Sequence, residues 1–585
     1  MHRHVARLLT ASAMLGAVPA TAQIVPPKTY VTTPTGVNLA DASFTYSVDD
    51  FQIGPLKLER YQIGSYSADP NTMFFGAHTS HNFDIYVARR LVRPNEWRAT
   101  VHLGTSASGI FFEGTTIGNG NRDSEGTTLT KVGGQYVYTD ASGTIYSFTS
   151  AVPAAGATYT GSQRVSTIAF PDGRVQTFSY DGGGKLKLVS DSSGYAIVFD
   201  YNASGTVSAA CGFNLSRTYV TASSSCTGAA LATRYTYTTG SLSSGYTGSL
   251  LAGVTDVLGN ATAYAWDVNG ITCVKPSGYS SCKIANTYGV HGSSWQLRQQ
   301  TLADGSVWQY GADLGAGMIV EETGFYPDGS NNSGYMDPTG NGLSATFTKS
   351  TPYSATDGNG NTTQYRYMGA QEYFTSGPTN SEGTLLTEAT FPEGNKYIAT
   401  YDGANRLIKQ VMQAKPGSGL ADLVVQLGYG GTTPQNSAKP TSKTDANGNR
   451  TDFAYTSWGG MVSEMQPAPV AGAARPLKLY TYMQGYAYVK NSGGALVAAA
   501  SPVWLPATET LCQTYAGSSA ASCDPAAPIT VTSYEYGASG TADNLLLRGL
   551  VVSSGGVSLR TCYGYDETGN RIFETKPRAG LASCS

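Results

Sequence analysis

The chain has 585 residues, of which only 13% are charged, with a net charge of −3, and it carries 70 glycines and 39 tyrosines against 10 methionines. That length exceeds one ordinary core, so several domains or a repeat array is expected, and the Gly and Tyr surplus favours turns and strands over amphipathic helices. No Lys/Arg cluster occurs, which argues against a nucleic-acid partner.

In chain order, "MHRHVARLLTASAMLGAVPATAQ" has basic residues, an apolar segment from Leu8 to Val18 and the small-residue site Ala20-Thr21-Ala22. This is the layout of a signal peptide over residues 1–22, with a mature start at Gln23. The apolar run is too short to span a bilayer and nothing later approaches a spanning length, so no transmembrane segment is expected after signal removal. Residues 23–161 read as a β-rich N-terminal region with few turns of the kind that follow.

From 162 to 458 a repeat dominates. Asp-x-x-Gly occurs at Asp140–Gly143, Asp181–Gly184, Asp191–Gly194, Asp256–Gly259, Asp267–Gly270, Asp357–Gly360, Asp445–Gly448 and Asp566–Gly569. Asp at the first place and Gly at the fourth suit a type I turn, the carboxylate accepting a local amide and Gly tolerating the exit geometry. Steps of 10 or 11 residues leave six or seven between turns, one strand's worth. "DVLGNATAYAW", "DGNGNTTQYRY" and "DANGNRTDFAY" align without gaps. In them Thr262, Tyr264 and Trp266, and their counterparts, alternate along one strand face, predicted to pack inward. Residues 459–530 are rich in Ala and Pro and are expected to be an irregular insertion; repeats return over 531–585.

Eight cysteines fall as sequence neighbours: Cys211 with Cys226, Cys273 with Cys282, Cys512 with Cys523, and Cys562 with Cys584. Eight cysteines allow 105 connectivities, so the pairing stays open; four local loops are the simplest choice. The absence of Cys-x-x-Cys weighs against a zinc ribbon or a thioredoxin-like site.

Candidate chemistry is sparse. Asp181, Asp402 and Asp566 could be catalytic carboxylates, but a glycosidase needs two held close together in unlike environments, and repeated turn residues would be alike and far apart. The adjacent acids Asp49-Asp50 and Glu321-Glu322 would point to opposite faces of a strand. His78 and His81 form His-x-x-His without a third ligand nearby; His102 and His291 are the other histidines after the signal. An EF-hand loop starting at Asp357 or Asp445 would need Gly sixth and Glu twelfth, and the chain offers Thr362 and Met368, or Arg450 and Thr456. Catalytic, cofactor-binding and metal sites are therefore all read as none. The regularly placed tyrosines Tyr264, Tyr365 and Tyr455 read as sheet core, with sugar platforms as the alternative.

Tyr180-Asp181 with Gly184 and Leu186, Tyr401-Asp402 with Arg406 and Leu407, and Tyr565-Asp566 with Gly569, Asn570 and Arg571 resemble the units of the RHS/YD-repeat family of bacterial secreted and surface proteins. At Tyr401 the chain departs from the family by placing Asn405 where the Gly sits. The stretch from Gly36 through "FGAHTSHNFDIYV" is similar to the family's N-terminal entry segment. The resemblance implies an all-β fold of antiparallel hairpins winding into a spiral or shell-like sheet. In some members the shell encloses a C-terminal toxic domain released by a closing core; in others the repeats serve attachment or carbohydrate binding. No closing-core pattern is recognised here, "YMDPTGNG" around Asp337 being read as a turn.

The reading is an exported, non-enzymatic scaffold, secreted, periplasmic or at the cell surface, with glycans or other cell-surface components as expected partners and no cofactor. Two alternatives stand beside it: the front part of a toxin-delivery shell, its core and toxin encoded separately or truncated away, and a glycan-active enzyme.

Overall fold

The computed structural model describes residues 24–62, 74–113, 127–153, 162–311, 330–368 and 385–584, apart from positions 25, 28–31, 40–42, 94–95, 105, 242–246, 292–293, 337–338, 340–341, 349–350 and 358. The expected signal peptide, Glu321-Glu322 and Asp337 lie outside the described residues.

The chain is all-β. Among the described residues the only helical element is a 3-10 turn at Pro577–Ala579. From Ile85 onward, successive strands pair antiparallel with their sequence neighbours, apart from the separate small hairpin Tyr488–Lys490 with Leu496–Ala498, in one long meander that closes on itself. Strand Gln163–Ala169 illustrates the closure: it pairs with Ile145–Pro153 and Val175–Tyr180, and Gln163 and Arg164 also pair with Val87 and Tyr86.

The turns between strands repeat one geometry. At Asp181 the Gly184 amide donates to the Asp181 carbonyl at 3.0 Å and the Asp181 amide to Lys185 at 2.9 Å. The Asp181 carboxylate accepts the amides of Gly183 and Lys185, each at 2.9 Å. Gly184 sits at φ +80°, the left-handed position that follows a type I turn in a three-residue hairpin loop. The same pattern recurs at Asp140, Asp256, Asp357, Asp402, Asp445 and Asp566. Asn405, in place of the usual Gly, holds φ +60°, since Asn tolerates this region better than other non-glycine residues. Asp267–Gly270 departs from the expected turn. Asp267 and Gly270 are themselves paired strand residues, so only Val268 and Asn269 lie between them, and the carboxylate takes the amides of Asn269 and Gly270.

A second regularity was not legible in the sequence. A register shift falls immediately before an aromatic residue at or next to the end of the strand: between Ser179 and Tyr180, Asp200 and Tyr201, Ala265 and Trp266, Thr400 and Tyr401, Ala454 and Tyr455, and Gly564 and Tyr565. The extra residue sits on the following strand, as Lys187 does opposite Ser179 and Tyr180. Each bulge sharpens the local twist, so bulges recurring along the meander make it coil, while pairs such as Leu186–Asp191 with Tyr195–Tyr201 keep an unbroken register. The aromatic then locks the bulge: the hydroxyls of Tyr180, Tyr201, Tyr237, Tyr288, Tyr401, Tyr429, Tyr455, Tyr482, Tyr536 and Tyr565, and the Trp266 indole, each donate to a carbonyl of the preceding neighbour strand at 2.7–3.2 Å. In Tyr-Asp, the Tyr latches one strand while the Asp turns the chain into the next.

The N-terminal region is not simply the first part of this sheet. Strands Tyr46–Ile53, Leu56–Gln62 and Thr79–His81 form a separate small sheet. Its Phe51, Ile53, Leu56 and Leu58 join the main core with Phe178, Phe199, Tyr235 and Tyr264, and Ile24 and Leu39 pack with Tyr365, Tyr397 and Val425. We call the face of the meander under this segment the inner face. On the outer face Leu188, Val198 and Ala209 pack beneath the loop carrying Cys226.

The cysteines pair as four local staples: Cys211–Cys226, Cys273–Cys282, Cys512–Cys523 and Cys562–Cys584. Within 459–530 the expected irregular insertion is corrected in large part. Pro476–Gly485 pairs with Val503–Gln513 along its whole length, with Pro476 and Pro506 themselves paired residues and Ala507 left unpaired at the register shift, because Leu477 and Leu479 on one face and Tyr480 and Tyr482 on the other keep strand periodicity. Irregular chain is concentrated at 486–502, which contains one short hairpin, and at 514–529.

Coiling brings remote turns together. The Asn214 side-chain amide donates to Asp543 at 2.6 Å across 329 positions, Ser216 to the same oxygen at 3.0 Å, and Arg217 to the other at 2.6 Å. The Lys490 amide donates to the Leu215 carbonyl at 2.8 Å, and that of Trp504 to Asp172 at 2.7 Å.

Candidate functional site

The structure spreads the repeated acids along the hairpin turns. The carboxylates of Asp181, Asp256, Asp357, Asp402, Asp445 and Asp566 each accept two amides of their own turn. At Asp357 the Asn361 side chain, then its amide, hold the carboxyl below its ordinary range. At Asp566 burial pushes upward, but bonds from Thr568 and Asn570 prevail and lower it. Carboxylates whose oxygens are already taken up by their own turn are poorly placed to move a proton to or from a substrate.

Asp49 and Asp50 do point apart. Asp49 meets Lys57 at the surface at 2.7 Å. Asp50 is buried and receives Arg60 Nε and Nη2, each at 3.1 Å, and the Tyr235 hydroxyl at 2.7 Å. Arg60 is fully buried, reaches Tyr264 at 3.3 Å and lies 5.5 Å from that ring's centroid. Burial alone would lower the Arg60 pKa, but Asp50 overrides it and raises it. This pair joins the N-terminal segment to the meander. Its partners lie 185 and 204 positions away, beyond any local sequence signal.

His78 and His81 are both buried. His81 lies against Phe75, Phe83 and Phe199. Burial, then the nearby Arg164 charge, lower its pKa to about 3, so it stays neutral. Among the described residues no three His, Cys, Asp or Glu side chains gather in a metal-holding group. His102 stacks on Tyr86 at 4.5 Å.

Two features on the second half of the meander escaped sequence reasoning. An open cavity of about 460 Å³ is lined by Asp402, Arg406, Ile408, Gln426, Leu427 and Tyr429. There Arg406 bonds Asp402 at 2.7 Å and lies 4.7 Å from the centre of the Tyr429 ring. The other feature is the column of aromatic residues that stand two before a latch. In the first half these are Phe178, Phe199, Tyr235 and Tyr264, all buried under the N-terminal segment. In the second half they are Phe453, Tyr480, Tyr534 and Tyr563, all only half-buried. The aromatic-x-aromatic spacing marks the column in sequence; which half is covered depends on where the N-terminal segment lies.

No family model matches the chain, and no curated protein matches it, so the RHS/YD resemblance rests on the repeated residues. Solved structures similar to it include the Photorhabdus luminescens Tc holotoxin pore, at 13% identity and a TM-score of 0.31 over 83% of this chain and 25% of that one. A TcdB2-TccC3-Cdc42 complex is similar at 11% identity and a TM-score of 0.33, over 89% and 30%. TcdB2-TccC3 without its hypervariable C-terminal region is similar at 13% and 0.31, over 88% and 29%. This chain thus spans less than a third of those chains, and at these scores the likeness carries no weight for its function.

Proposed function

We propose that the chain is a non-enzymatic scaffold of RHS/YD type that works outside the cytoplasm and presents a binding surface for glycans or other cell-surface components. One observation carries this reading: the repeated acids, the only recurrent candidates for chemistry, are consumed as acceptors within their own turns. Four disulfides fit an oxidising compartment. The test is to express the full chain with its leader, fractionate the cells, and incubate the exported protein with a polysaccharide panel. Exported, fully disulfide-bonded protein that releases no reducing ends is expected; turnover abolished by one carboxylate substitution would overturn the reading in favour of a glycan-active enzyme.

A toxin-delivery shell remains the second reading, favoured by one feature. The inner face already holds a polypeptide guest, the N-terminal segment, through an apolar core and the Asp50–Arg60 pair. This reading expects the coding sequence next to this chain to specify a closing core and a small toxic domain, and the two products to co-purify; their absence removes it.

A further inference from the structure

The inner face changes character along the meander. Under the N-terminal segment its column begins with Phe178 and Phe199, facing apolar Phe51, Ile53 and Leu56. From Tyr480 onward it carries Tyr480, Tyr534 and Tyr563, recurring on alternate strands of the paired series Pro476–Gly485, Val503–Gln513, Thr530–Tyr536, Leu547–Ser554 and Val557–Tyr565. Strand neighbours lie about 4.8 Å apart, so alternate strands set these rings on the order of 10 Å apart or slightly more.

Polar groups sit between the rings. Glu509 is the direct cross-strand partner of Tyr480 and of Thr532, two residues before Tyr534, and burial, then the Glu509 charge, push the Tyr534 hydroxyl up. Burial and Glu509 together push the Tyr480 hydroxyl up to about 12, so it remains a protonated donor. The charges on this face balance. Glu464 lies 3.6 Å from Lys478 and Glu574 3.4 Å from Arg571, while Arg571 and Arg548 lie near the Tyr563 and Tyr565 rings. With Glu509 that makes three carboxylates against three cations.

These properties select the occupant. An apolar peptide of the kind that covers Phe178 and Phe199 would strand the phenol hydroxyls and Glu509 without partners, at a cost of about 1–3 kcal/mol for each buried group. A polyanion or polycation finds no net charge to steer it. A sugar ring offers an apolar face to a half-exposed aromatic ring and hydroxyls to a carboxylate.

We infer that the inner face from Tyr480 to Tyr563 binds an uncharged oligosaccharide, with Tyr480, Tyr534 and Tyr563 as stacking platforms and Glu509 as the acceptor of sugar hydroxyls. This deepens the scaffold reading above and rests on it. The latches Tyr482, Tyr536 and Tyr565, bonded to Met461, Pro506 and Leu547, hold the strands and stay outside the site.

The test is calorimetric titration of the full mature chain with cello-, chito-, xylo- and mannohexaose. At least one should bind, and Tyr480→Ala, Tyr534→Ala and Tyr563→Ala should each weaken that binding about tenfold, the loss of one stacking contact, with melting temperature unchanged. Tyr534→Phe should keep most of the affinity and Glu509→Gln should lower it; both serve if an alanine variant fails to fold. Absence of binding at millimolar hexaose overturns the inference. Binding that survives all three alanine substitutions also overturns it while leaving a glycan-binding scaffold standing elsewhere on the molecule, and the scaffold reading itself fails only on the export and turnover measurements.

Discussion

Tyr235 donates its hydroxyl hydrogen to the Asp50 carboxylate at 2.7 Å, across 185 positions of chain, and the same carboxylate carries the fully buried Arg60 guanidinium. This contact fixes the N-terminal segment on the meander. Asp50→Ala would leave Arg60 charged and uncompensated in the core, and is expected to cost about 3–5 kcal/mol. Replacing both with apolar residues, Asp50→Leu with Arg60→Met, should recover a large part of that loss. Urea unfolding of the two variants checks this; a single variant no less stable than the double would count against a buried ion pair.

The latching tyrosines give a graded series. Tyr201→Phe removes a nearly buried donor and leaves the Leu186 carbonyl, now at 2.7 Å from it, without its partner; a loss of about 1–3 kcal/mol is expected. Tyr536 makes the same bond to Pro506 at 2.9 Å in an exposed setting, where water can replace it, so Tyr536→Phe should cost less than about 1 kcal/mol. Equal losses by denaturant titration would refute the latch account.

Asp357, Asp402 and Asp566 all have carboxyl groups held below their ordinary value, by the Asn361 side chain at Asp357, and at Asp402 and Asp566 by local hydrogen bonds that outweigh burial. A group lowered in the folded state contributes stability that is fully present above the unfolded carboxylate value of about 3.9 and is lost as pH falls through the lowered folded value. Stability should therefore be flat in these terms above about pH 5 and decline below pH 4. The Asp357→Asn, Asp402→Asn, Asp566→Asn triple variant should show a shallower acid decline, measured by melting temperature against pH.

The Cys211–Cys226 loop carries Asn214, Ser216 and Arg217, the residues that grip Asp543. Replacing both cysteines with Ala should cost about 3 kcal/mol for a loop of this size. It should also raise hydrogen exchange at the Lys490 amide, which donates to Leu215 inside the loop. Destabilisation without faster exchange at Lys490 would separate the staple from the clasp.

Two glycines with nearly equal backbone angles should respond differently. Gly259 has φ +85° with open space around it, whereas a methyl at Gly569, φ +87°, would lie 2.5 Å from the Tyr195 hydroxyl. Gly259→Ala meets only the left-handed backbone penalty, about 1–2 kcal/mol; Gly569→Ala adds a steric clash and should be the more damaging of the two in thermal melts.

The sequence by itself determined what is local. Asp181 to Gly184 specifies its turn because the carboxylate, two amides and the left-handed glycine all lie within five residues, and Cys211 finds Cys226 for the same reason of proximity. Strand alternation at Thr262, Tyr264 and Trp266 likewise needs no distant partner. What only the tertiary structure decided is long-range. The bulge before each latch arises from the register between two strands, which no single strand encodes. The Asp50–Arg60–Tyr235 junction and the Asp543 clasp join segments that meet because the meander coils. Whether Phe199 or Tyr534 is covered depends on where the N-terminal strands Tyr46–Ile53 and Leu56–Gln62 come to rest. Identical aromatic spacing can mark core in one half and open wall in the other, because burial belongs to the assembled layers and not to the repeat.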